Sequence, residues 1–167
     1  MPHECCLAIF KMKKRYFDDL KVGDRFISEP LEVKGKEVIE FAHEFDPQRF
    51  HLNRKSAKRK IFKGLIASGW HTAAMTMRLF VETLNFGEWA IGLGVDKLRW
   101  PNVVRPGDVL TVETKILHLR PSRSRPNYGI IRLRNVTTNQ RGETVQTMLA
   151  STMVRRRARG RPRQQDH

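Results

Sequence analysis

Apolar residues along this chain change their spacing twice, and each change marks a new kind of element. After a Val22-Gly23-Asp24 turn, residues 25–33 read as a strand. Between 36 and 45, Val38, Ile39, Ala42 and Phe45 recur at helical spacing, with Glu37, Glu40 and Glu44 on the outer side, so an amphipathic helix is expected. Pro47 ends it. Proline disfavours helical geometry at the preceding residue, which places Asp46 just past the helix with its carboxylate released from the helical face. A loop follows, and residues 54–63 read as a short helix flanked by loop. Gly69 then precedes residues 70–84, where apolar side chains occupy almost every face and Ala73 and Ala74 permit close backbone approach. A helix apolar nearly all round is expected to be buried. Beyond residues 85–88 the period shortens, and 90–100, 109–119, 128–138 and 144–154 read as strands bounded by turn chemistry. Arg105-Pro106-Gly107-Asp108 suits a type II turn, and residues 139–142 close a hairpin. Four strands in succession without intervening helices predict an α+β fold with an antiparallel sheet. One curved sheet wrapped around the long apolar helix would satisfy the burial needs of both.

Composition narrows the class. At 167 residues the chain fits one domain, expected over residues 15–154 between a disordered leader (1–14) and a disordered basic tail (155–167). The apolar fraction is 40%, and no run approaches the ~18 apolar residues of a membrane helix. Cys5 and Cys6 are adjacent, and no Cys-x-x-Cys pair exists, which excludes a thiolate zinc site or a redox dithiol. No metal is expected. The apolar stretch 7–10 is too short for a signal peptide, so a cytoplasmic protein is expected, with Met1 or Met12 as its start.

The formal charge of +15 is concentrated in two places. Arg155, Arg156, Arg157, Arg159, Arg161 and Arg163 crowd the tail. Arg54, Lys55, Lys58, Arg59, Lys60 and Lys63 form a second cluster without an acid among them, which suits an anionic ligand or a solvated surface. Arg159-Gly160-Arg161-Pro162-Arg163 looks like the core of an AT-hook. So short and biased a match is weighed below a disordered solubilising tail, and a nucleic-acid partner is not expected.

The candidate chemistry lies in Glu44-Phe45-Asp46-Pro47-Gln48-Arg49-Phe50-His51. A carboxylate and an imidazole five positions apart on a proline-stiffened loop can share a water, one taking its proton while the other polarises it. Phe62-Lys63-Gly64-Leu65-Ile66-Ala67-Ser68-Gly69 then leads into the apolar helix. Amides at such a start lack intrahelical acceptors and carry the positive end of the helix dipole, the arrangement that stabilises a developing oxyanion. Glycine at 69 either lets a substrate approach the backbone or permits tight helix–sheet packing.

Asp46-x-x-x-x-His51, followed by Phe62-x-x-x-Ile66-x-x-Gly69 at the head of an apolar helix, resembles the MaoC-like dehydratases, which include the (R)-specific enoyl-CoA hydratases. Leu98-Arg99-Trp100-Pro101 and Val104-Arg105-Pro106-Gly107-Asp108 fit the same family, and the resemblance spans residues 17–154. It implies a hotdog fold, assembled as a homodimer or a dimer of dimers with the sheet extended across subunits. It also implies a hydro-lyase acting on an acyl-CoA thioester, with Asp46 and His51 activating water and the Gly69 amide polarising the thioester carbonyl. Substrate contacts are expected from Gln48, Ile66, Ala67 and Ser68, with Lys60 and Lys63 on the coenzyme A phosphates. No cofactor is implied beyond the coenzyme A of the substrate. The family's Asp-x-Asn-Pro-x-His order is altered here: Gln48 stands for asparagine and proline has moved to position 47. Met77 replaces a small hydroxylated residue. A hotdog thioesterase, or a non-catalytic acyl-CoA-binding or nucleic-acid-binding hotdog protein, is the alternative.

Overall fold

The computed structural model describes residues 14–52, 62, 64–87 and 90–157. Lys60, Lys63, the 54–61 part of the basic cluster, Trp89, the leader up to residue 13 and the tail from residue 158 lie outside the described residues.

The expected first strand is split, because Pro30 cannot continue a ladder. It forms β1 (Arg25–Ile27) and β2 (Leu31–Glu32), both antiparallel to β4. Helix α1 (Gly35–Phe45) follows, and buries Val38 and Ala42. After Pro47 the chain does not stay in a loop but forms a single helical turn, α2 (Arg49–Leu52). The long helix α3 (Gly69–Leu84) leads to β3 (Ala90–Arg99), β4 (Val109–Pro121), β5 (Tyr128–Thr138) and β6 (Thr144–Arg155). The sheet order is β1-β4-β5-β6-β3, antiparallel throughout.

This is the hotdog arrangement, a curved antiparallel sheet around a central helix. Register shifts in the β3–β6 and β4–β5 ladders mark bulges, which bend strands and raise their twist. The inner face of the sheet meets α3 in two clusters. One gathers Val33, Val38, Met75, Leu79, Leu110 and Val112. The other gathers Leu20, Phe80, Leu84, Ile116, Ile131, Leu133 and Val154 around the far end of the helix. Each fully buried aliphatic side chain of this kind contributes about 1.5–3 kcal/mol.

Both ends of α3 are fixed by the chain's own chemistry. Ser68 is the N-cap, its hydroxyl accepting the Trp70 amide at 3.2 Å. Asn85 ends the helix in the left-handed region at φ 43°, where asparagine is tolerated. Arg15 donates to the terminal carbonyls of Thr83 and Leu84 at 2.7 and 3.1 Å, complementing the negative helix end.

The expectation of a wholly buried α3 is corrected. Trp70, Met77 and Val81 stay 62%, 44% and 48% exposed, while His71, Met75, Leu79 and Leu84 point inward. Among the described residues strand β3 pairs with β6 alone, and it exposes Ile91, Leu93 and Val95 as well. At the other end of the chain, order continues past the expected boundary. β6 runs to Arg155, and Arg157 is tied to Asp19 at 2.7 Å and through its amide to Asp18 at 2.8 Å. Among the described residues, no helix is long and apolar enough to cross a membrane.

Candidate active site

Asp46 is the C-cap of α1, and its amide still donates to the Ala42 carbonyl at 3.0 Å. Pro47 turns the chain sharply there. The Gln48 amide folds back on the Asp46 carbonyl at 2.7 Å, and the His51 amide on the Gln48 carbonyl at 2.9 Å. This one-turn helix swings the His51 ring back toward the carboxylate. Asp46 Oδ2 lies 3.3 Å from His51 Nε2.

The imidazole is held from its other side. His51 Nδ1 lies 2.8 Å from the Ile66 carbonyl. A carbonyl can only accept, so Nδ1 carries the hydrogen and Nε2 is the nitrogen turned to Asp46. Phe50 packs edge-on against the ring, with centroids 4.3 Å apart. The orientation of His51 is therefore set by three neighbours.

Asp46 is held equally firmly. Gln48 Nε2 donates to Oδ1 at 2.8 Å, leaving Oδ2 for the side facing His51. Burial pushes the carboxyl upward, but hydrogen bonds from Gln48 and Ser68, with the nearby His51, outweigh it and hold Asp46 below the ordinary carboxylate value. Asp46 is thus a stable carboxylate at neutral pH.

The pair opens onto a cleft of about 310 Å³ lined by Phe50, Phe62, Ile66, Ala67, Ser68, Gly69, Trp70, Thr72, Trp100 and Val104, among others. The residues expected from sequence converge here, but their parts differ. Ser68 caps α3 and hydrogen-bonds Asp46; Ile66 anchors His51 through its carbonyl; Gln48 orients Asp46. The Ala67 amide is taken by the Val104 carbonyl at 2.8 Å. These four residues build the site's frame. The Gly69 amide, first in the helix, has no intrahelical acceptor.

Glycine at 69 has a packing reason. A Cβ there would lie 2.8 Å from Cδ2 and Cε2 of Trp100, whose indole leans over the helix start and meets Trp70 edge-on. Trp100 Nε1 donates to Oε1 of the fully buried Gln146 at 2.8 Å, which fixes the ring. In the sequence Trp100 stands out only as part of the Leu98-Arg99-Trp100-Pro101 stretch; its place over Gly69 follows from the β3 exit and carries no local signal. Arg105 was missed as well. Its guanidinium donates to the Phe62 carbonyl at 2.6 Å, tying the segment before α3 to the turn before β4.

His71 does not line the cleft. It is buried, stacks on Phe41 with centroids 4.7 Å apart, and its Nδ1 has no partner among the described residues. Burial lowers its pKa against the pull of Glu37, keeping the ring neutral.

With this geometry in place, comparison with known proteins is informative. The family model described as "MaoC like domain" matches residues 21–154. The uncharacterized protein YdeM of Bacillus subtilis (strain 168) is 30% identical over 140 residues, covering 83% of this chain and 98% of that protein. The crystal structure of a MaoC-like dehydratase from Rhodospirillum rubrum superposes with a TM-score of 0.81 at 49% identity, over 87% of this chain and 99% of that one. The unliganded R-hydratase PhaJ1 from Pseudomonas aeruginosa gives a TM-score of 0.73 at 26% identity, over 88% and 94% of the two chains.

Proposed function

This chain belongs to the MaoC-like domain family, and from that premise we propose that it is a hydro-lyase interconverting 2-enoyl-CoA and (R)-3-hydroxyacyl-CoA thioesters. The observation that carries the proposal is the facing of Asp46 Oδ2 and His51 Nε2 across 3.3 Å at the wall of a cleft. With Asp46 ionised and His51 Nδ1 donating to the Ile66 carbonyl, Oδ2 is an acceptor, and so is Nε2 whenever it carries no hydrogen. One water, which has two hydrogens, satisfies them together and is left with its lone pairs free.

Hydration then proceeds by general acid–base catalysis. Asp46 takes a proton as the water oxygen bonds to C3 of the enoyl thioester. The electron pair moves toward the thioester oxygen, where the Gly69 amide and the positive end of α3 offset the developing charge. Return of a proton from the catalytic pair to C2 completes the hydroxyacyl product. Dehydration runs the same steps backwards. Around the reacting centre the cleft is lined mainly by aromatic and aliphatic residues.

We further propose a homodimer formed edge to edge through β3. An edge unpaired among the described residues and carrying Ile91, Leu93 and Val95, beside the exposed Met77 and Val81 of α3, is a surface that soluble proteins cover.

The test is an assay of crotonyl-CoA in which the enone absorbance and free thiol are followed in parallel. Loss of enone without thiol, yielding the (R)-3-hydroxyacyl product on chiral analysis, is the expected result. Thiol release would identify a thioesterase, and no change in either signal would exclude both activities for this thioester.

A further inference from the structure

A second cavity, of about 330 Å³, lies farther along α3, between the exposed side of that helix and the inner faces of β3, β5 and β6. Met77, Phe80, Val81, Val95, Met148 and Ala150 make its wall largely apolar. Ser151 and Thr152 add hydroxyl groups to the wall, and one further polar residue is set apart by its burial. Asn135, on β5, also lines the cavity and is only 1% exposed.

Its amide is half satisfied. Thr114 on β4, its cross-strand partner, donates its hydroxyl to Asn135 Oδ1 at 2.7 Å, which fixes the side chain with Nδ2 on the other side. Nδ2 is buried and has no acceptor among the described residues. A buried amide donor left without a partner costs free energy that an apolar residue of the same shape would not. Retaining it beside a cavity has a direct physical use if a ligand supplies the acceptor.

The lining also restricts that acceptor. Among the described residues, none on the cavity wall carries a positive charge, so a carboxylate would be desolvated without a counter-ion, which is unfavourable. A neutral oxygen has no such penalty. Met77 sits eight residues beyond Gly69 on the same helix, about 12 Å along its axis at 1.5 Å per residue. An acyl chain whose thioester lies at the helix start and which follows α3 reaches this cavity with its distal carbons.

We propose that Asn135 is a specificity-determining residue, and that the acyl chain taken by this protein carries a neutral oxygen, as a keto, hydroxyl or ether group, which accepts the Asn135 Nδ2 hydrogen in this cavity. The inference rests on the hydro-lyase reading above and adds the substrate class to it.

The test compares trans-2-decenoyl-CoA with a series of analogues in which an ether oxygen replaces one distal methylene in turn. Chain length and shape are kept, and only the acceptor moves. For the wild type, kcat/KM at one oxygen position is expected to exceed that of the all-carbon chain by roughly tenfold. Asn135→Leu, close in volume, is expected to abolish or invert this preference while still hydrating the all-carbon thioester. Asn135→Ser supplies a second variant should leucine impair folding, and it should lose most of the preference. Hydration of all chains with no preferred oxygen position, or a preference unaltered in both variants, overturns the inference and leaves the hydro-lyase reading standing. Absence of hydration for every thioester overturns that reading and the inference with it. A ratio unchanged in Asn135→Leu but with a weakened dimer would show that the partner subunit, and not the acyl chain, occupies the cavity.

Discussion

His51 offers only Nε2 to the cleft, because Nδ1 donates to the Ile66 carbonyl, and Asp46 offers only Oδ2, because Gln48 holds Oδ1. Such fixed orientations let a carboxylate and an imidazole share one water instead of pairing with solvent at random. Gln48 has a further consequence. It is a donor that holds the Asp46 pKa down, so removing it raises that pKa. The base must be ionised to work; the acid limb of kcat/KM due to Asp46 is therefore expected below 3.8. In Gln48→Leu the limb should move up toward that value, as a pH–rate profile would show. A limb that stays in place would mean that Gln48 does not tune the base. Stability follows the same sign: the contribution of a depressed carboxyl is present above the ordinary value and lost as pH falls through the lowered one. The Asp46/His51 pair was legible from five-residue spacing and a proline. The locking of its two ends was not, because Ile66 and Ser68 come from a distant segment.

At the scale of elements, the site is a junction of three short stretches: the α1 end, the turn of α2 and the start of α3. Trp100, at the exit of β3, closes it from above. Gly69→Ala would drive a methyl into the Trp100 indole, since the Cβ would meet it at 2.8 Å. Overpacking of that kind is expected to cost roughly 1–3 kcal/mol. Chemical denaturation would measure it, and combination with Trp100→Leu should recover most of the loss because the two positions touch. No recovery would place the requirement for glycine elsewhere. The helices and long strands were readable from periodicity, since α3 and β4 to β6 carry clear patterns. The split of the first strand at Pro30 and the one-turn α2 were not, because pieces of two to four residues are too short for a period to emerge.

The whole molecule leaves one side unfinished. A helix expected to be buried all round is half exposed, and β3 lies at the edge with apolar side chains in solvent. A second subunit covering this surface, as proposed, would account for the apolar excess read from α3 in the sequence. In a two-fold dimer each substitution acts twice. Leu93→Lys is expected to weaken self-association at least roughly tenfold, which sedimentation or light scattering at falling concentration would report. An unchanged mass would place the subunit contact on another face.

The most direct measurement is the initial rate of enone loss from crotonyl-CoA for the wild type, Asp46→Asn and His51→Ala, side by side with their unfolding midpoints. The expected result is hydration by the wild type and a loss of ~10² or more in each variant, with folding retained. Near-native hydration by either folded variant would contradict the assignment of water activation to this pair.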